Sequence, residues 1–463
     1  MTTTHYDCLI IGAGQAAVPL APALAKAGRK TALVEREHVG GTCINEGCTP
    51  TKTMVASARV AYLAQRGGDY GVQTGPISID MQKVRQRKRD IVNSWRDGSE
   101  KRLRETPGLD LLMGEAAFTG PKAVQVKLNN GETRDLTADQ IFINAGARPS
   151  VPSLPGLDSV PFLNSTSIME LDVVPEHLLI LGGGYVGLEF AQMFCRFGSK
   201  VTIIQRGPRL LGREDGDVAD EVAKILREDG IEILLNTDTV RVAGSQPNNI
   251  SLTVKTAEGE RTLHGSHVLV ATGRTPNSDR LNLSAAGIKV DAQGLILANE
   301  RLETNVPGVY VLGDIKGGPA FTHISYDDFR IIRADLLEGG NRATNDRLIP
   351  YVVFIDPQLG RVGVSEEEAR KQGLNIKVAK MPMSYVARAS ETDETRGFMK
   401  AIVDAATKQI LGYTILGIEG GEIMSAVEIA MMGHLPYTAL LDGIFSHPTL
   451  MESLNNLFTN FEG

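Results

Sequence analysis

The sequence predicts an α/β protein with two dinucleotide-binding units and a separate α+β domain towards its C-terminal end. Three observations predict it. Residues 6–35 read as strand, Gly-rich turn, helix, and a second strand ending in an acid. The same order recurs over 178–205, ending in Gln205. Over the last stretch, strand-like runs at Tyr351 to Phe354, Phe398 to Val403 and Ile410 to Leu416 alternate with helices. A chain of 463 residues exceeds one core, so two to four domains are expected.

The first unit opens with a buried strand at 6–11, followed by Gly12-Ala13-Gly14-Gln15-Ala16-Ala17 and an Ala-rich helix to about Gly28. Thr31 to Val34 form the second strand, which ends at Glu35. This is the Rossmann-like fingerprint, with Ala17 at its third small position. Gly12 permits the tight turn. Gly14 lets a pyrophosphate approach the N–H groups of the helix start. Glu35 is placed to accept hydrogen bonds from ribose hydroxyls. A Gly-rich turn without a ligand is the weaker reading, because strand, helix and spaced acid occur together.

The stretch Gly40 to Lys52 places Cys43 and Cys48 between a Gly-rich turn and an apparent helix start. A regular helix would hold these positions more than ~7 Å apart at Cα, too far for a disulfide. Cys43 is therefore expected in an irregular turn, where Asn45 and Gly47 tolerate positive φ. Cys48 falls near a helix N-terminus, with Pro50 in the first turn. The positive end of the helix dipole favours thiolate there. Buried free thiols or a structural bridge are the plainer alternatives. A structural bridge fits poorly in a chain of four cysteines that starts without a secretory pattern. A zinc site needs a second cysteine pair, which the sequence lacks. The expected reading is a switchable pair with unequal sulfurs. Lys52 lies one turn beyond Cys48.

Residues 83–104 read as a basic helix with interleaved acids, a solvated face rather than a nucleic-acid patch. Short strands follow from about 110 to 147, with a turn at Asn129-Asn130-Gly131. They close on Ile141 to Pro149, a run containing Gly146. A net charge of −7 gives no reason to bind nucleic acid or an anionic membrane. No apolar run approaches the ~18 residues of a membrane span. A cytoplasmic location is the default expectation. Cys8, in the first strand, and Cys195, in an apolar helical pattern, are expected to pack in the core.

The second unit runs from the strand Leu178 to Leu181 into Gly182-Gly183-Gly184-Tyr185-Val186-Gly187 and a helix. Gln205 follows Gly182 at the separation at which Glu35 follows Gly12. An acid there would repel a 2′-phosphate; Gln does not, and Arg206, Arg209 and Arg213 follow. NADPH is therefore expected over NADH. Two further runs, Val268 to Arg274 through Gly273 and Gly308 to Asp314 through Gly313, end in chemistry-bearing residues. The last motif is Ser446-His447-Pro448-Thr449-Leu450-Met451-Glu452.

These motifs together resemble the flavin-dependent pyridine nucleotide–disulfide oxidoreductases over essentially the whole chain. Within that family the runs TCINEGCTPTKT, FTHISYDDFRIIRADLL and HPTLMESLNNLF are most similar to the mercuric-reductase-like branch, which includes reactive-chlorine-resistance flavoproteins. The resemblance implies an FAD-binding domain over 1–148 and 275–346, a NAD(P)H-binding domain over 149–274, and a dimerisation domain over 347–463. It implies FAD contacts from Gly12, Gly14, Ala17, Glu35, Gly41, Thr42, Lys52, Ala117, Gly146, Arg274, Gly313, Asp314, Phe321, Thr322 and His323. It implies NAD(P)H contacts from Gly182, Gly184, Tyr185, Gly187, Gln205, Arg206 and Gly273, with Tyr185 gating the flavin face. It further implies that Cys48 faces the flavin, that Cys43 is the exposed thiol meeting substrate, and that Glu189 pairs with Lys52. His447, held by Glu452, would serve as acid–base from the partner subunit of a homodimer. The substrate would be a small disulfide, a thiol-reactive compound or a metal ion. Hg(II), Cu(II), lipoamide, glutathione disulfide and oxygen are the acceptors to separate.

Two rivals follow. A dihydrolipoamide dehydrogenase would use NAD, against which Gln205 argues. A flavoprotein scaffold without turnover would have no need of the set Cys43, Cys48, Lys52, His447 and Glu452. Two departures also stand out. The C-terminal cysteine pair of mercuric reductases has no counterpart in Leu457 to Gly463, so efficient mercury reduction is not expected. Glu46 stands between the cysteines where relatives carry an apolar residue, and is expected to raise the interchange thiol's pKa or attract a metal ion.

Overall fold

The structure is a computed structural model describing residues 3–246 and 249–462. The first strand, Thr4–Ile11, lies between Thr31–Glu35 and Thr133–Ile143, parallel to both. Leu9 and Ile10 are fully buried, as a strand covered on both faces requires. Val309–Val311 adds to Thr133–Ile143, also in parallel. The register brings Ile11 opposite both Val34 and Ile143, and Ile143 opposite Val311. Four strands therefore end at one edge, which gathers Gly12, Glu35, Asn144 and Gly313. Ligands bind at such carboxyl edges of parallel sheets. Leu109–Gly120 and Ala123–Leu128 complete the six-stranded sheet. The expected turn lies between Leu128 and Thr133, where Gly131 takes φ +93°.

The second parallel sheet repeats this arrangement. His177–Leu181 lies between Lys200–Ile204 and His267–Val270, with Leu181 opposite Ile204 and Val270. Its carboxyl edge gathers Gly182, Gln205 and Ala271. A Cβ at Gly182 (φ +110°) would stand 2.5 Å from the Ala271 carbonyl oxygen, so the turn accepts only glycine. The third sheet is antiparallel, in the order Tyr351–Val353, Gln358–Gly363, Ile410–Gly417, Phe398–Asp404, Ile376–Pro382. Helix Gly420–Met432 covers it, burying Ile423, Met424, Val427 and Ala430.

One expectation needs correction here. The basic helix runs Met81–Arg104, with the Asp80 carboxylate accepting from the Lys83 N–H at 3.0 Å. Its face is not wholly solvated, because Lys88 is buried against Glu170. Cys8 is in the core, and the half-buried Cys195 packs against core residues, its thiol directed at the Asp229 carbonyl oxygen at 3.2 Å.

Candidate active site

Cys43 and Cys48 stand on two successive helices. Gly41–Asn45 is a five-residue helix and Cys48–Gln65 the next, with the break at Glu46 and Gly47. Cys43 thus sits in a short helix rather than an irregular turn. The left-handed residues are Gly40 and Gly41, not Asn45 or Gly47. Asn45 instead donates to the carbonyl oxygens of Val39 and Gly41, both at 3.0 Å, which closes the short helix. Gly47 serves close approach: a Cβ there would lie 2.9 Å from the Thr42 carbonyl oxygen. Cys48 is the first residue of its helix, as expected.

The break brings the two free thiols within hydrogen-bonding reach. The hydrogen bond given by Cys43 lowers the Cys48 thiol to about 6, assisted by Thr322 and Lys52 and opposed by burial and Glu189. The Thr322 hydroxyl lies 3.3 Å from Cys48 Sγ. The same hydrogen bond, together with burial, raises the Cys43 thiol. The pair is therefore one thiolate and one thiol. Cys48 is exposed and Cys43 half-buried, and both line the cleft.

Lys52 Nζ lies 2.7 Å from Glu189 Oε2. The other oxygen of Glu189 accepts from the Phe354 N–H at 2.9 Å, so this buried carboxylate is paired on both sides. The expected Lys52–Glu189 pair is thus present, four residues from Cys48. Glu46 turns towards Thr166 Oγ1 at 3.3 Å. The largest influences on the Cys43 thiol are Cys48 and burial, which raise it, and Thr322 and Lys52, which lower it.

These residues line one cleft of about 660 Å³, together with Gly12, Gly14, Glu35, Gly146, Arg274 and Asp314. Gly41, Thr42, Phe321, Thr322, His323 and Tyr185 line it too. Phe321 stacks between His323 and Tyr351, with both ring centroids at 5.4 Å, and Tyr185 lies 6.2 Å from it. Ala117 is not among the lining residues; Gly114, Glu115 and Ala116 are. Ala17 is buried at the helix start, and its N–H donates to Asn144 Oδ1 at 3.3 Å.

His447 and Glu452 pair with each other, Nδ1 lying 2.9 and 3.0 Å from the carboxylate oxygens. Neither lines the cleft. In the second unit, Gln205 Oε1 accepts from the Gly183 N–H at 2.9 Å, as Glu35 accepts from Ala13 at 2.8 Å. Gly187 packs the helix onto the turn: a Cβ there would lie 2.3 Å from the Gly182 carbonyl oxygen. Gly184 precedes the helix and Gly273 takes φ +143° beside the same edge. Arg206 and Arg213 are exposed, and Arg209 is held by Glu367 at 3.0 Å.

The family model of the pyridine nucleotide-disulphide oxidoreductases matches residues 6–328, and that of their dimerisation domain matches 349–458. The chain belongs to the pyridine nucleotide-disulphide oxidoreductases. This oxidoreductase is 40% identical to the probable pyridine nucleotide-disulfide oxidoreductase RclA of Escherichia coli over 458 residues, 98% of this chain and 99% of that one. It is 34% identical to a mercuric reductase of Staphylococcus aureus over 99% of this chain and 82% of that one. A solved structure described as the Cu(II) complex of the HOCl-induced flavoprotein disulfide reductase RclA from Escherichia coli superposes with a TM-score of 0.90. Its identity is 39%, and 99% of each chain is covered.

Membership in these oxidoreductases implies FAD and a pyridine nucleotide, and the cleft fits the flavin nucleotide. A Cβ at Gly14 would lie 2.6 Å from Asn144 Oδ1, and one at Gly41 2.9 Å from Gly14 Cα, so the cradle accepts only backbone. Glu35 receives backbone N–H groups on both oxygens yet keeps lone pairs for a ribose. Arg274 Nε is buried without a partner in the same cleft. Sequence reasoning missed Asn144, whose amide also donates to the Leu312 carbonyl oxygen at 2.9 Å. A polar residue directly after Ile141-Phe142-Ile143 was the available signal. It also assigned Thr322 to FAD alone, although the hydroxyl contacts the thiol. No helix is long and apolar enough to cross a membrane among the described residues.

Proposed function

We propose that this enzyme is an NADPH-preferring reductase acting on metal ions or small thiol-reactive substrates, with Cu(II) as the first acceptor to test. The observation that carries the reading is the unequal thiol pair, with Cys48 lowered to about 6 beside a protonated Cys43 on the cleft. Soft thiolates bind and reduce copper. The Cu(II) complex of the RclA relative supports the choice of acceptor.

FAD bound in the cleft would relay electrons from the nicotinamide to the disulfide. The remaining chemistry belongs to the chain. Oxidation of the Cys43–Cys48 dithiol to a disulfide releases two electrons and two protons, which converts two Cu(II) to two Cu(I). Cys48 has already lost its proton at neutral pH, so only the Cys43 proton needs an acceptor. We assign that role to His447 of the partner subunit, oriented by the partner's Glu452. The cleft of a single chain lacks this pair, and the match of 349–458 to a dimerisation domain supports a shared site in a homodimer. Lys52 and Glu189 hold a cation beside the thiolate. NADPH preference rests on Gln205 and on the unpaired Arg206 and Arg213. Residues 1–148 with 275–346, 149–274 and 347–463 are read as the FAD, nucleotide and dimerisation domains.

The test is NADPH oxidation with Cu(II), Hg(II), lipoamide, glutathione disulfide and oxygen in parallel, with Cu(I) trapped by a chromogenic chelator. Cu(II) should give the highest rate and about two Cu(I) per NADPH, since each hydride carries two electrons. Faster turnover with lipoamide, or a Cu(II) rate unchanged in Cys43→Ala and Cys48→Ala, would refute the reading.

A further inference from the structure

We propose that Glu367 sets the nucleotide selectivity by withholding Arg209 from the ribose end of the second dinucleotide turn. The inference deepens the NADPH reading and rests on its placement of the 2′-phosphate beside Gln205.

Three arginines follow Gln205 in the loop that leads to helix Gly216–Glu228, and their states differ. Arg206 and Arg213 are exposed, and their guanidinium groups make no hydrogen bond or ion pair among the described residues; the Arg213 carbonyl oxygen accepts from Arg361 Nη1 at 3.1 Å. Arg209 is tied to the marker residue, since its carbonyl oxygen accepts from Gln205 Nε2 at 3.3 Å. Its guanidinium is engaged elsewhere. Nη1 donates to Glu367 Oε1 at 3.0 Å and to the Glu214 carbonyl oxygen at 3.2 Å. The same Oε1 accepts from the Gly216 N–H at 3.1 Å.

Glu367 belongs to the segment matched by the dimerisation model, not to the nucleotide unit. It is fixed there. The Asp215 carboxylate accepts from the Glu366 and Glu367 N–H groups, both at 3.0 Å, and Lys400 lies 2.7 Å from Asp215. The backbone of Glu367 is thereby docked on the loop, while its side chain stays 57% exposed. An exposed pair of this kind is weak, so a competing phosphate can open it. While it stands, Glu367 occupies one of the three cations. A carboxylate outside the nucleotide fold thus moderates the preference that Gln205 permits.

The experiment measures kcat/KM for NADPH and NADH, and binding of 2′,5′-ADP against 5′-AMP by calorimetry, on the flavin-loaded dimer. Glu367→Gln keeps an acceptor for Gly216 and removes the charge. It should raise the NADPH to NADH ratio, and the 2′,5′-ADP affinity, by about fivefold, the scale of one exposed ion pair. Arg209→Gln alone should leave the ratio within about twofold, and in the double variant it should cancel the gain. An unchanged ratio in Glu367→Gln, or a gain that survives Arg209→Gln, overturns the proposal. A large loss of NADPH preference in Arg209→Gln alone also overturns it, because Arg209 would then already hold the phosphate. The underlying NADPH reading fails separately, if the wild-type ratio favours NADH or Arg206→Gln does not lower it.

Discussion

Replacing Thr322 with Val deletes one hydroxyl and keeps the side-chain shape. Thr322 is the first residue of its helix, so no intrahelical bond depends on the change. The hydroxyl lies 3.3 Å from Cys48 Sγ and favours the thiolate. A hydrogen bond to a charged group contributes about 1.5–3 kcal/mol. The lower end of that range corresponds to about one pKa unit. With Cys48 lowered to about 6, roughly nine in ten molecules carry the thiolate at pH 7. After the substitution about half should. The sign is fixed by the chemistry. A thiol is an acid whose charged form the fold favours, so reactivity is full above its pKa and falls as pH drops through it. The assay is iodoacetamide alkylation of the reduced protein across pH 5 to 9, read on the Cys48 peptide by mass spectrometry. The inflection should move from about 6 to about 7. Thr322→Ser should restore it. An inflection that stays in place, or moves down, would show that the hydroxyl does not serve the thiolate.

Three other outcomes are expected. Gln205→Glu should shift selectivity towards NADH by about tenfold, since a carboxylate repels the 2′-phosphate and accepts a ribose hydroxyl; equal selectivity in a kcat/KM comparison would mean that the phosphate lies elsewhere. Gly41→Ala places a Cβ 2.9 Å from Gly14 Cα at φ +60° and should strip most FAD from the purified protein, read as flavin absorbance per chain; full flavin content would contradict the cradle. His447→Ala and Cys48→Ala homodimers should each lose about 10²-fold or more in turnover, and co-expressed heterodimers should recover activity through one intact site; no recovery would refute site sharing.

Much of this architecture was legible because its signals are local. Strand, Gly-rich turn and acid fall within a few dozen residues, and backbone approach at Gly12, Gly14 and Gly182 leaves no room for another residue type. The Lys52–Glu189 pair crosses between units and came from family resemblance, not from spacing. What the sequence could not show depends on long-range register. Nothing local marks Phe354 as the partner of Glu189, or Glu367 as the partner of Arg209. The sequence points to an irregular turn around Cys43; the structure has a short helix instead, because Asn45 satisfies carbonyl oxygens behind it rather than adopting a left-handed conformation.

The Asn144 carboxamide has a consequence for biosynthesis. It touches the first glycine turn and also the strand end at Leu312, across a sequence separation of 168 residues. A ribosome that has released only the first 300 residues has made the turn but not the acceptor for that amide. Capture of the yellow cofactor should therefore wait until the later strand emerges. Stalled nascent chains ending before Leu312 should elute colourless from a desalting column, and ones extended well past the helix Thr322–Leu337 should retain flavin fluorescence after unfolding.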